Sequence, residues 1–433
     1  MSSPLSTAVL PGWCDPAEMY VAGPGRDGDS FWLDAGPEAV SGWSWVGTGV
    51  PAGSPRGIVC DDDRADHPAG AAGPFRGGWI GWAGYDAGAE RAGAPASHEQ
   101  GPPERWLRVD RFLAFDHAER RVIVVAPADE LGHAVAAAER WRAAARPVVA
   151  TDAEPVAVRG RHDPAAYARL IGRCRDEIRE GRAYQLCLTT RFETAASVDP
   201  VQAYLRLREA TPSHHGGMIR IGDTALLSAT PERFLEVSRG VVRTRPIKGT
   251  RPRGADPATD AALAAELRAS EKEQAENVMI VDLMRNDLQR VCLPGSVAAE
   301  RLLDVESYPA VHQLVSTVAG RLLPRVTMGA LWDAAFPAGS MTGAPKLSAM
   351  QILHRLEEGP RGVFAGCFGW VGTDGAADLA MVIRSIVVHP DGAYVGAGGG
   401  ITWGSVAADE VAEVGVKARG PLAALGAALP PGW

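Results

Sequence analysis

Residues 266–287 read ELRASEKEQAENVMIVDLMRND and place two carboxylates, Glu273 and Glu276, three residues apart on a predicted helix. Side chains at that spacing share one face of a helix. Two like charges there cost a helix about 0.2–0.5 kcal/mol. Either water screens the pair, as on an ordinary solvated face, or a cation lies between the two carboxylates.

A second glutamate pair lies far downstream. Glu410 and Glu413, in ADEVAEVGVKA, have the same spacing on what we predict to be the last helix. Mg²⁺ is bound by a few carboxylates and keeps some of its waters for substrate oxygens. Two facing helices with paired glutamates would supply that coordination. Each pair alone is better explained as a solvated face or a helix start, so a cation site depends on the surrounding motifs.

The composition indicates a globular protein with one large domain or two, since 46% of its 433 residues are hydrophobic and 22% are charged. No apolar run approaches the length of a membrane span, and the N-terminus lacks the features of a signal peptide. We therefore expect a cytoplasmic protein without membrane contact. A net charge of −8 without a basic stretch argues against nucleic acid and favours a small-molecule partner. Six cysteines without a CxxC pair argue against a disulfide framework or structural zinc.

Lysine is nearly absent from the chain. Only four of the 44 lysine and arginine residues are lysine, namely Lys248, Lys272, Lys346 and Lys417. Where arginine supplies ordinary positive charge, a remaining lysine is a candidate for chemistry that needs a neutral amine. For Lys272, which lies on a charged helical face, chance retention is the better explanation.

Residues 1–150 form a predicted β-rich region with many glycines, prolines and tryptophans. An Ala-rich helix, Asp129–Ala144, is predicted to close it, and the polar stretch 145–163 is a predicted connection with a boundary near 150–160. Four tryptophans of this region are better explained as core than as the lining of a ligand pocket. They are Trp43, Trp45, Trp79 and Trp82.

Helices and strands alternate over residues 160–425. Segments 225–237 and 241–254 are predicted to form a hairpin that leads into a loop. The segment DLAMVIRSIVVH, residues 378–389, is predicted to be one strand. One large mixed α/β unit with antiparallel strands fits this pattern.

Six motifs follow one another in this second region: PIKGTRPRG, EKEQAENVMIVDLMRNDL, VHQLVSTVAGRL, GSMTGAPK, IRSIVV and GAGGGI. Each is weak alone, but in this order they resemble the chorismate-utilising enzyme family. Within it, the chain is most similar to the members that aminate chorismate at C4 on the route to p-aminobenzoate and folate. The resemblance is dense from about 163 to 420 and thinner before it, where GGWIGWAGYDAG carries it.

The resemblance implies an α/β fold of the α+β type. This is a large α/β sandwich of mostly antiparallel sheets, the chorismate-binding fold of anthranilate synthase component I-like proteins. Residues 1–150 would be integrated with the main fold, and residues 160–425 would form the catalytic region. The site would lie between the sheets.

The resemblance also implies a magnesium site and a set of substrate contacts. Glu276 and Glu413 would bind Mg²⁺ directly, and Glu273 and Glu410 would hold its waters, so that the metal orients the ring carboxylate of chorismate. The implied substrate-binding residues are Gln185, Gly249, Thr250, His312, Ser340, Thr342, Phe364, Arg384, Gly398, Gly399 and Lys417. Outside the motif context, His312 would be a core histidine and the run Gly398–Gly400 a tight turn. Phe364 replaces a tyrosine that is usual in the family, which removes one hydroxyl contact.

Loss of the C4 hydroxyl of chorismate requires a general acid and a nucleophile. By the resemblance, Glu232 in ATPERF is the acid, and partial burial would raise its pKa. Lys248 stands where anthranilate-forming members carry alanine, and a lysine there can attack the ring itself. Isochorismate- and salicylate-forming members carry a lysine base where this chain has Gln185, which cannot deprotonate water. The resemblance thus implies amination at C4 through a covalent Lys248 intermediate.

Ammonia is expected from another chain, a class I glutamine amidotransferase subunit. The stretch Ala365–Gly369 resembles a glutaminase nucleophile turn around Cys367, and His389 with Asp391 resembles its base and acid. No helix-forming run follows Cys367, and residues 389–392 fit a turn between two strands. We therefore interpret both segments as structural.

Two alternative functions stay open. One is amination of chorismate at C2, as in anthranilate-forming members. The other is a catalytically silent regulator that binds chorismate or tryptophan. The presence of Glu232, Lys248 and all four metal-site glutamates counts against the regulator.

Overall fold

The computed structural model describes residues 3–60, 72–99, 103–308 and 311–433. Its α-helices are α1 Pro16–Ala22, α2 Tyr85–Arg91, α3 Leu131–Ala144, α4 Pro164–Arg179, α5 Pro200–Ala210, α6 Pro257–Ala269, α7 Glu271–Gln289, α8 Met328–Ala335, α9 Lys346–Glu357 and α10 Ala407–Ala424. The strands of the first 150 residues are β1 Leu5–Leu10, β2 Ser30–Asp34, β3 Trp43–Thr48, β4 Val50–Ala52, β5 Gly78–Ala83, β6 Glu104–Val109, β7 Phe112–Asp116 and β8 Arg121–Pro127. The later strands are β9 Arg159–Gly160, β10 Gln185–Thr194, β11 His215–Ile221, β12 Thr224–Thr230, β13 Arg233–Ser238, β14 Val241–Thr244, β15 Ile247–Pro252, β16 Ala298–Ser307, β17 Val311–Arg321, β18 Gly343–Ala344, β19 Cys367–Gly372, β20 Ala377–Met381, β21 Ser385–His389 and β22 Gly392–Ile401.

The strands form two sheets, and all the pairings in the described residues are antiparallel. The large sheet has the order β1-β8-β7-β3-β2-β11-β12-β21-β22-β10-β18, with β9 paired to β10. The small sheet has the order β15-β17-β14-β13-β20-β19-β5-β6-β4, with β16 paired to β17. Strands from residues 1–150 lie in both sheets. The architecture is the predicted α/β sandwich of large antiparallel sheets.

Each face of the large sheet packs against a hydrophobic core. Strand β2 is buried along its whole length: Phe31 and Leu33 belong to the core between the two sheets, whereas Trp32 belongs to the core under the helices. Successive side chains of a strand point to opposite faces, so a sheet covered on both sides requires strands that are apolar throughout. The helices that cover the outer face include α4, α5, α9 and α10.

Two segments cross from one sheet to the other and carry polar residues into the space between them. Strand β12 of the large sheet is followed by Pro231, Glu232 and then β13 of the small sheet. Strand β20 of the small sheet is followed by residues 382–384 and then β21 of the large sheet. Pro231 cannot donate to a strand ladder, and Arg384 has a left-handed backbone conformation with φ 51°. Pro231 therefore separates β12 from β13, and Arg384 separates β20 from β21.

The crossings correct two sequence predictions. Residues 225–237 are not one strand of a hairpin, because the hairpin is confined to β13 and β14. Residues 378–389 are not one strand, because the chain changes sheets in their middle. Nothing in the hydrophobic pattern marks such a change, since both halves are apolar.

The stretch 266–287 contains parts of two helices. Helix α6 ends at Ala269, and the Ser270 hydroxyl accepts a hydrogen bond from the Glu273 N–H as the N-cap of α7. Lys248 lies in a strand, because residues 247–252 form β15 and pair with β17. Glu273 and Glu276 nevertheless lie together on α7, as the spacing predicts.

All six cysteines are free and buried, as expected for a chain without a disulfide framework. Within the described residues, none of the helices combines the length and the apolar character that a membrane crossing requires. Trp82 is buried in the core, whereas Trp43 and Trp45 help to line a cavity of about 370 Å³ that also contacts Arg233 and Asp378. All four tryptophans belong to the core between the sheets or pack against it, as the sequence predicts.

Candidate active site

Most of the predicted site residues converge on one cavity of about 580 Å³ at the two crossings between the sheets. Strands β15 and β22 and helices α7 and α10 contribute to its walls. The predicted residues that line it are Glu232, Lys248, Gly249, Thr250, Glu273, Glu276, Ser340, Phe364, Arg384, Gly398, Gly399, Glu410, Glu413 and Lys417.

The four glutamates approach the cavity from two helices. Glu273 and Glu276 come from the first turns of α7, and Glu410 and Glu413 come from the first turns of α10. A Cβ atom at Gly399 would lie 3.1 Å from Oε2 of Glu410 and 3.7 Å from Oε1 of Glu413. Glycine at this position of β22 therefore lets both carboxylates of α10 lie against the strand.

The pKa values of Glu276, Glu410 and Glu413 are shifted, and not all in the same direction. Burial raises the pKa of Glu276, with Glu273 and Glu410 acting in the same direction and Lys248 and Lys272 against it. Burial also raises the pKa of Glu410, which is 4% exposed. For Glu413, burial acts to raise the pKa, but lysine charges outweigh it and the pKa is lowered. Burial and the neighbouring negative charges disfavour the ionised form of these carboxylates, whereas the nearby lysine charges favour it.

The donor set fits a hard divalent cation that keeps several of its waters. Within the described residues, no group of three or more His, Cys, Asp or Glu side chains is close enough to enclose a metal ion. Mg²⁺ does not require such a cage, because one or two carboxylates, waters and substrate oxygens complete its octahedron. Glu276 and Glu413, from α7 and α10, are candidates for direct ligands.

Glu232 lies at the first crossing and is 8% exposed. Its carboxylate accepts a hydrogen bond of 2.9 Å from the Ser340 hydroxyl. Burial raises the pKa of Glu232, while Lys248 and the Ser340 hydrogen bond act against the increase. A buried carboxyl with a raised pKa retains a proton that it can donate, which is the property of a general acid.

Lys248 is directed into the cavity by a local irregularity of β15. The register of β15 against β17 shifts between Lys248 and Thr250, and Gly249 between them has φ 78°. A bulge of this kind redirects neighbouring side chains, and its positive φ favours glycine. A Cβ atom at residue 249 would lie 2.8 Å from Leu267, so glycine also permits the close approach of α6.

Gln185 lies behind Gly400 and beside Lys248 but does not line the cavity. A Cβ atom at residue 400 would lie 2.5 Å from Nε2 of Gln185 and 3.7 Å from Nζ of Lys248. The Gln185 side chain is fully buried, and neither amide atom has a hydrogen-bond partner among the described residues. The amide therefore has donors and an acceptor without partners behind the cavity wall, and its contact with a substrate remains a prediction.

Arg384 and Lys417 add positive charge to the same wall. Burial lowers the pKa of Arg384, and Glu413 opposes this decrease. Lys417 Nζ lies 2.5 Å from Oε1 of Glu413 and donates to the carbonyl of Gly398 at 2.9 Å. A substrate with carboxylates would meet cations here as well as the glutamate cluster.

His312 and Thr342 do not line the cavity, and their contacts with a substrate remain predictions. His312 is 2% exposed, and its ring nitrogens lie 2.8 Å from Ser307 Oγ and 2.9 Å from Asp260 Oδ1. Its neighbour Gln313 lines the cavity instead, because side chains alternate along β17. The Thr342 hydroxyl donates to the carbonyl of Ala338 at 3.1 Å.

Sequence reasoning missed several contributors to the cavity. Lys272 lines it, so three of the four lysines of the chain meet at one place. Arg251 also lines it and lies 3.6 Å from Oε1 of Glu273. The scarcity of lysine was the signal for Lys272, whereas no sequence signal separates Arg251 from the many surface arginines.

A buried ion pair behind the cavity was also missed. Arg361 and Glu357 are 2% and 3% exposed, and their side chains lie 2.7 Å apart. Arg361 donates to the carbonyls of Met341 at 2.6 Å and Cys187 at 2.8 Å, and Glu357 accepts from the N–H of Thr189 at 2.9 Å. Because Met341 and Cys187 line the cavity, the pair fixes the segments that form its floor.

The segments that resemble a glutaminase site are structural. Cys367 is the first residue of β19, is buried and pairs with Ala83 and Met381 in neighbouring strands. Burial raises its pKa, which disfavours the thiolate. His389 pairs with Gly392 at the hairpin between β21 and β22.

Comparisons with known proteins identify the family of the chain. The profile of the chorismate binding enzyme family matches residues 58–423. The chain is 43% identical over 366 residues to aminodeoxychorismate synthase of Streptomyces pristinaespiralis, which covers 81% of this chain and 51% of the relative. The chain therefore spans about half the length of that relative.

Similarity also extends to anthranilate synthases. The chain is 37% identical over 457 residues to anthranilate synthase component 1 of Streptomyces coelicolor, which covers 98% of this chain and 88% of the relative. The crystal structure of anthranilate synthase component I from Streptococcus pneumoniae aligns with a TM-score of 0.74 and 28% identity, covering 97% of this chain and 92% of the other. The relatives of this chain thus include both aminodeoxychorismate synthases and anthranilate synthases.

Proposed function

Because this chain belongs to the chorismate binding enzyme family, we propose that it aminates chorismate at C4 to give 4-amino-4-deoxychorismate. The main support for this proposal is that one cavity is lined by Lys248, buried Glu232 and the glutamate pairs of α7 and α10. Similarity to an aminodeoxychorismate synthase at 43% identity supports the same reaction.

Lys248 and Glu232 have complementary roles in the proposed reaction. The Lys248 amine attacks C2 of the ring, both ring double bonds shift by one position, and the C4 hydroxyl leaves with a proton from Glu232. Ammonia then attacks C4, the double bonds shift back, and the C2–N bond to Lys248 breaks. Covalent catalysis replaces one difficult displacement by two easier ones.

We propose Mg²⁺ as the cofactor, with Glu276 and Glu413 as direct ligands and Glu273 and Glu410 as partners of its waters. When bound, the ion would neutralise and orient the ring carboxylate of chorismate. Arg384 and Lys417 would attract the second carboxylate of this dianion. The carboxylates of Glu273, Glu276, Glu410 and Glu413 would repel the substrate without a cation, so binding and charge neutralisation are coupled.

Ammonia would come from a glutamine amidotransferase subunit. The anthranilate synthase relatives are named component 1, and this name supports the existence of a second subunit. The burial of Cys367 in a strand supports a glutaminase site on that partner and not at this segment.

Amination at C2 is the second candidate, favoured by the similarity to anthranilate synthases over 98% of the chain. Lys248 argues against it, because a lysine bonded to C2 excludes ammonia from that carbon. Product identification by mass spectrometry, with chorismate, Mg²⁺ and ammonium, decides between them. We expect 4-amino-4-deoxychorismate. If anthranilate is the main product instead, amination takes place at C2 and our proposal is wrong.

A further inference from the structure

Lys272 occupies an unusual place at the edge of the cavity. Its side chain is 62% exposed, yet it lines the cavity, and its Nζ lies 4.0 Å from Oε1 of Glu276. It forms no hydrogen bond in the part of the chain that the structure describes. By contrast, Lys417 is held by Gly398 and Glu413, and Arg251 is held by Glu266. Lys272 is therefore the cavity-lining cation with the loosest attachment among these three.

The position of Lys272 is unfavourable for the helix that carries it. It is the second residue of α7, whose N-terminal end carries the positive end of the helix dipole. A cation there destabilises a helix, whereas the acidic neighbours Glu271 and Glu273 stabilise it. An ordinary surface charge in this chain would be arginine, since only four of 44 basic residues are lysine. A local cost of this kind is expected where a residue serves a site.

The charge of Lys272 acts on carboxylates from both helices. Its Nζ lies 4.0 Å from Oε1 of Glu276 on α7, and its side chain lines the same cavity as Glu410 and Glu413 of α10. A compact ammonium on a flexible four-carbon stem can approach several carboxylates in turn. A divalent ion between α7 and α10 would have to share the same carboxylates.

We infer that Lys272 is the counter-ion of the metal-free glutamate cluster and competes with the divalent cation for it. The inference rests on the proposed function for the location of the metal site. The ammonium neutralises Glu276 and its neighbours while the metal is absent, and it moves toward solvent when the metal binds. Lys272 thereby sets the metal affinity without being a metal ligand.

The test is Mg²⁺ binding by titration calorimetry on the full chain without chorismate, at low ionic strength. Lys272→Met removes the charge and keeps the stem, and we expect it to tighten Mg²⁺ binding about threefold to tenfold, because a unit charge near a divalent ion is removed. Lys272→Arg should stay within about twofold of the wild type, since the charge remains. The matched control Arg285→Met removes a charge from an exposed side chain farther along α7 and should change nothing.

Salt separates this role from a structural one. If Lys272 competes electrostatically, the difference between the wild type and Lys272→Met shrinks as KCl is raised to about 0.5 M, because added salt shortens the screening length. Unchanged or weaker Mg²⁺ binding in Lys272→Met, with an unchanged thermal unfolding midpoint, overturns the inference. A wild type that binds no Mg²⁺ overturns the inference together with the proposed metal site. Release of anthranilate would overturn only C4 amination, because the calorimetry involves no turnover.

Discussion

Gln185 and Lys248 meet across Gly400, on whose Cα a methyl group would lie 2.5 Å from the Gln185 amide nitrogen and 3.7 Å from the Lys248 amine. The two side chains come from different sheets, since Gln185 begins β10 and Lys248 lies in β15. Glycine at position 400 therefore sets the distance between the buried amide and the proposed nucleophile.

Gly400→Ala should reduce kcat/KM for ammonium-dependent turnover about a hundredfold, because a displacement of about 1 Å at a reacting group has that effect. The Cβ atom would lie 2.5 Å from the amide nitrogen of the fully buried Gln185, so this side chain would have to move beside Lys248. Gly404→Ala is the matched control, since a Cβ atom there meets nothing within 4 Å. Equal loss in both variants would show that the crowding at residue 400 is not the cause.

Glu413→Ala should abolish Mg²⁺ binding and turnover while the protein stays folded. The Glu413 side chain is 46% exposed and contacts Lys417, so its removal leaves no buried cavity. The free energy of unfolding should change by about 0.5 kcal/mol or less, as for most surface substitutions. Glu271→Ala, an exposed glutamate on the first turn of α7, is the control and should keep both activities. Wild-type turnover in Glu413→Ala would contradict the assignment of this ligand.

Ser340→Ala should move the alkaline limb of the pH profile to higher pH. The Ser340 hydroxyl donates to the Glu232 carboxylate and so favours its ionised form. Without that hydrogen bond, the pKa of Glu232 rises further and the acid stays protonated to higher pH. The measurement is the rate of C4 hydroxyl loss against pH, without ammonia, so that ammonium ionisation does not contribute. A shift to lower pH, or no shift, would contradict the role of Glu232 as proton donor.

Spacing predicts the helix-borne parts of this site, because helical geometry is local. Glu410 and Glu413 share a face of α10 through a three-residue interval that is visible in the sequence. The scarcity of lysine likewise marks Lys248 as a candidate for amine chemistry. Both signals depend only on residue type and interval.

The sheet-borne parts are harder to predict because pairing and register are long-range. His312 and Gln313 are adjacent in β17, and only the register decides which side chain faces the cavity. Likewise, Pro231–Glu232 resembles an exposed turn in the sequence, and only the change of sheet buries Glu232. The pair Arg361–Glu357 has helix-like spacing, but its bonds to Met341 and Cys187 require the tertiary fold.

Arg361→Met should destabilise the protein by about 3–5 kcal/mol, because it leaves the Glu357 carboxylate buried and unpaired. Met341 and Cys187 would also lose the donor that holds their carbonyls. Chemical denaturation measures the change. The double variant Arg361→Met with Glu357→Leu should recover part of the loss, since it removes the unpaired charge. If Arg361→Met has wild-type stability, the pair does not support the cavity floor.

The last prediction concerns Lys248. Direct attack of ammonia on C4 would have to displace a hydroxyl from the same carbon, whereas attack of Lys248 on C2 expels it through the shifted double bonds. Protein incubated with chorismate and Mg²⁺, but without ammonia, should therefore form an adduct of chorismate less water. Peptide mapping by mass spectrometry should place the adduct on Lys248, and ammonium should discharge it as 4-amino-4-deoxychorismate.

Lys248→Ala should form no adduct and should lose most C4 amination, and Lys248→Arg should behave alike because a guanidinium remains protonated and cannot attack. Lys346→Met is not a suitable control, because half-buried Lys346 forms an ion pair of 2.6 Å with buried Asp287 of α7, and its loss would leave that carboxylate unpaired. Arg285→Met is suitable, since its exposed side chain pairs only with Asp282 at 3.3 Å in the described residues. If Lys248→Ala retains full 4-amino-4-deoxychorismate synthesis, ammonia attacks without a covalent intermediate and Lys248 serves only as a charge in the cavity wall.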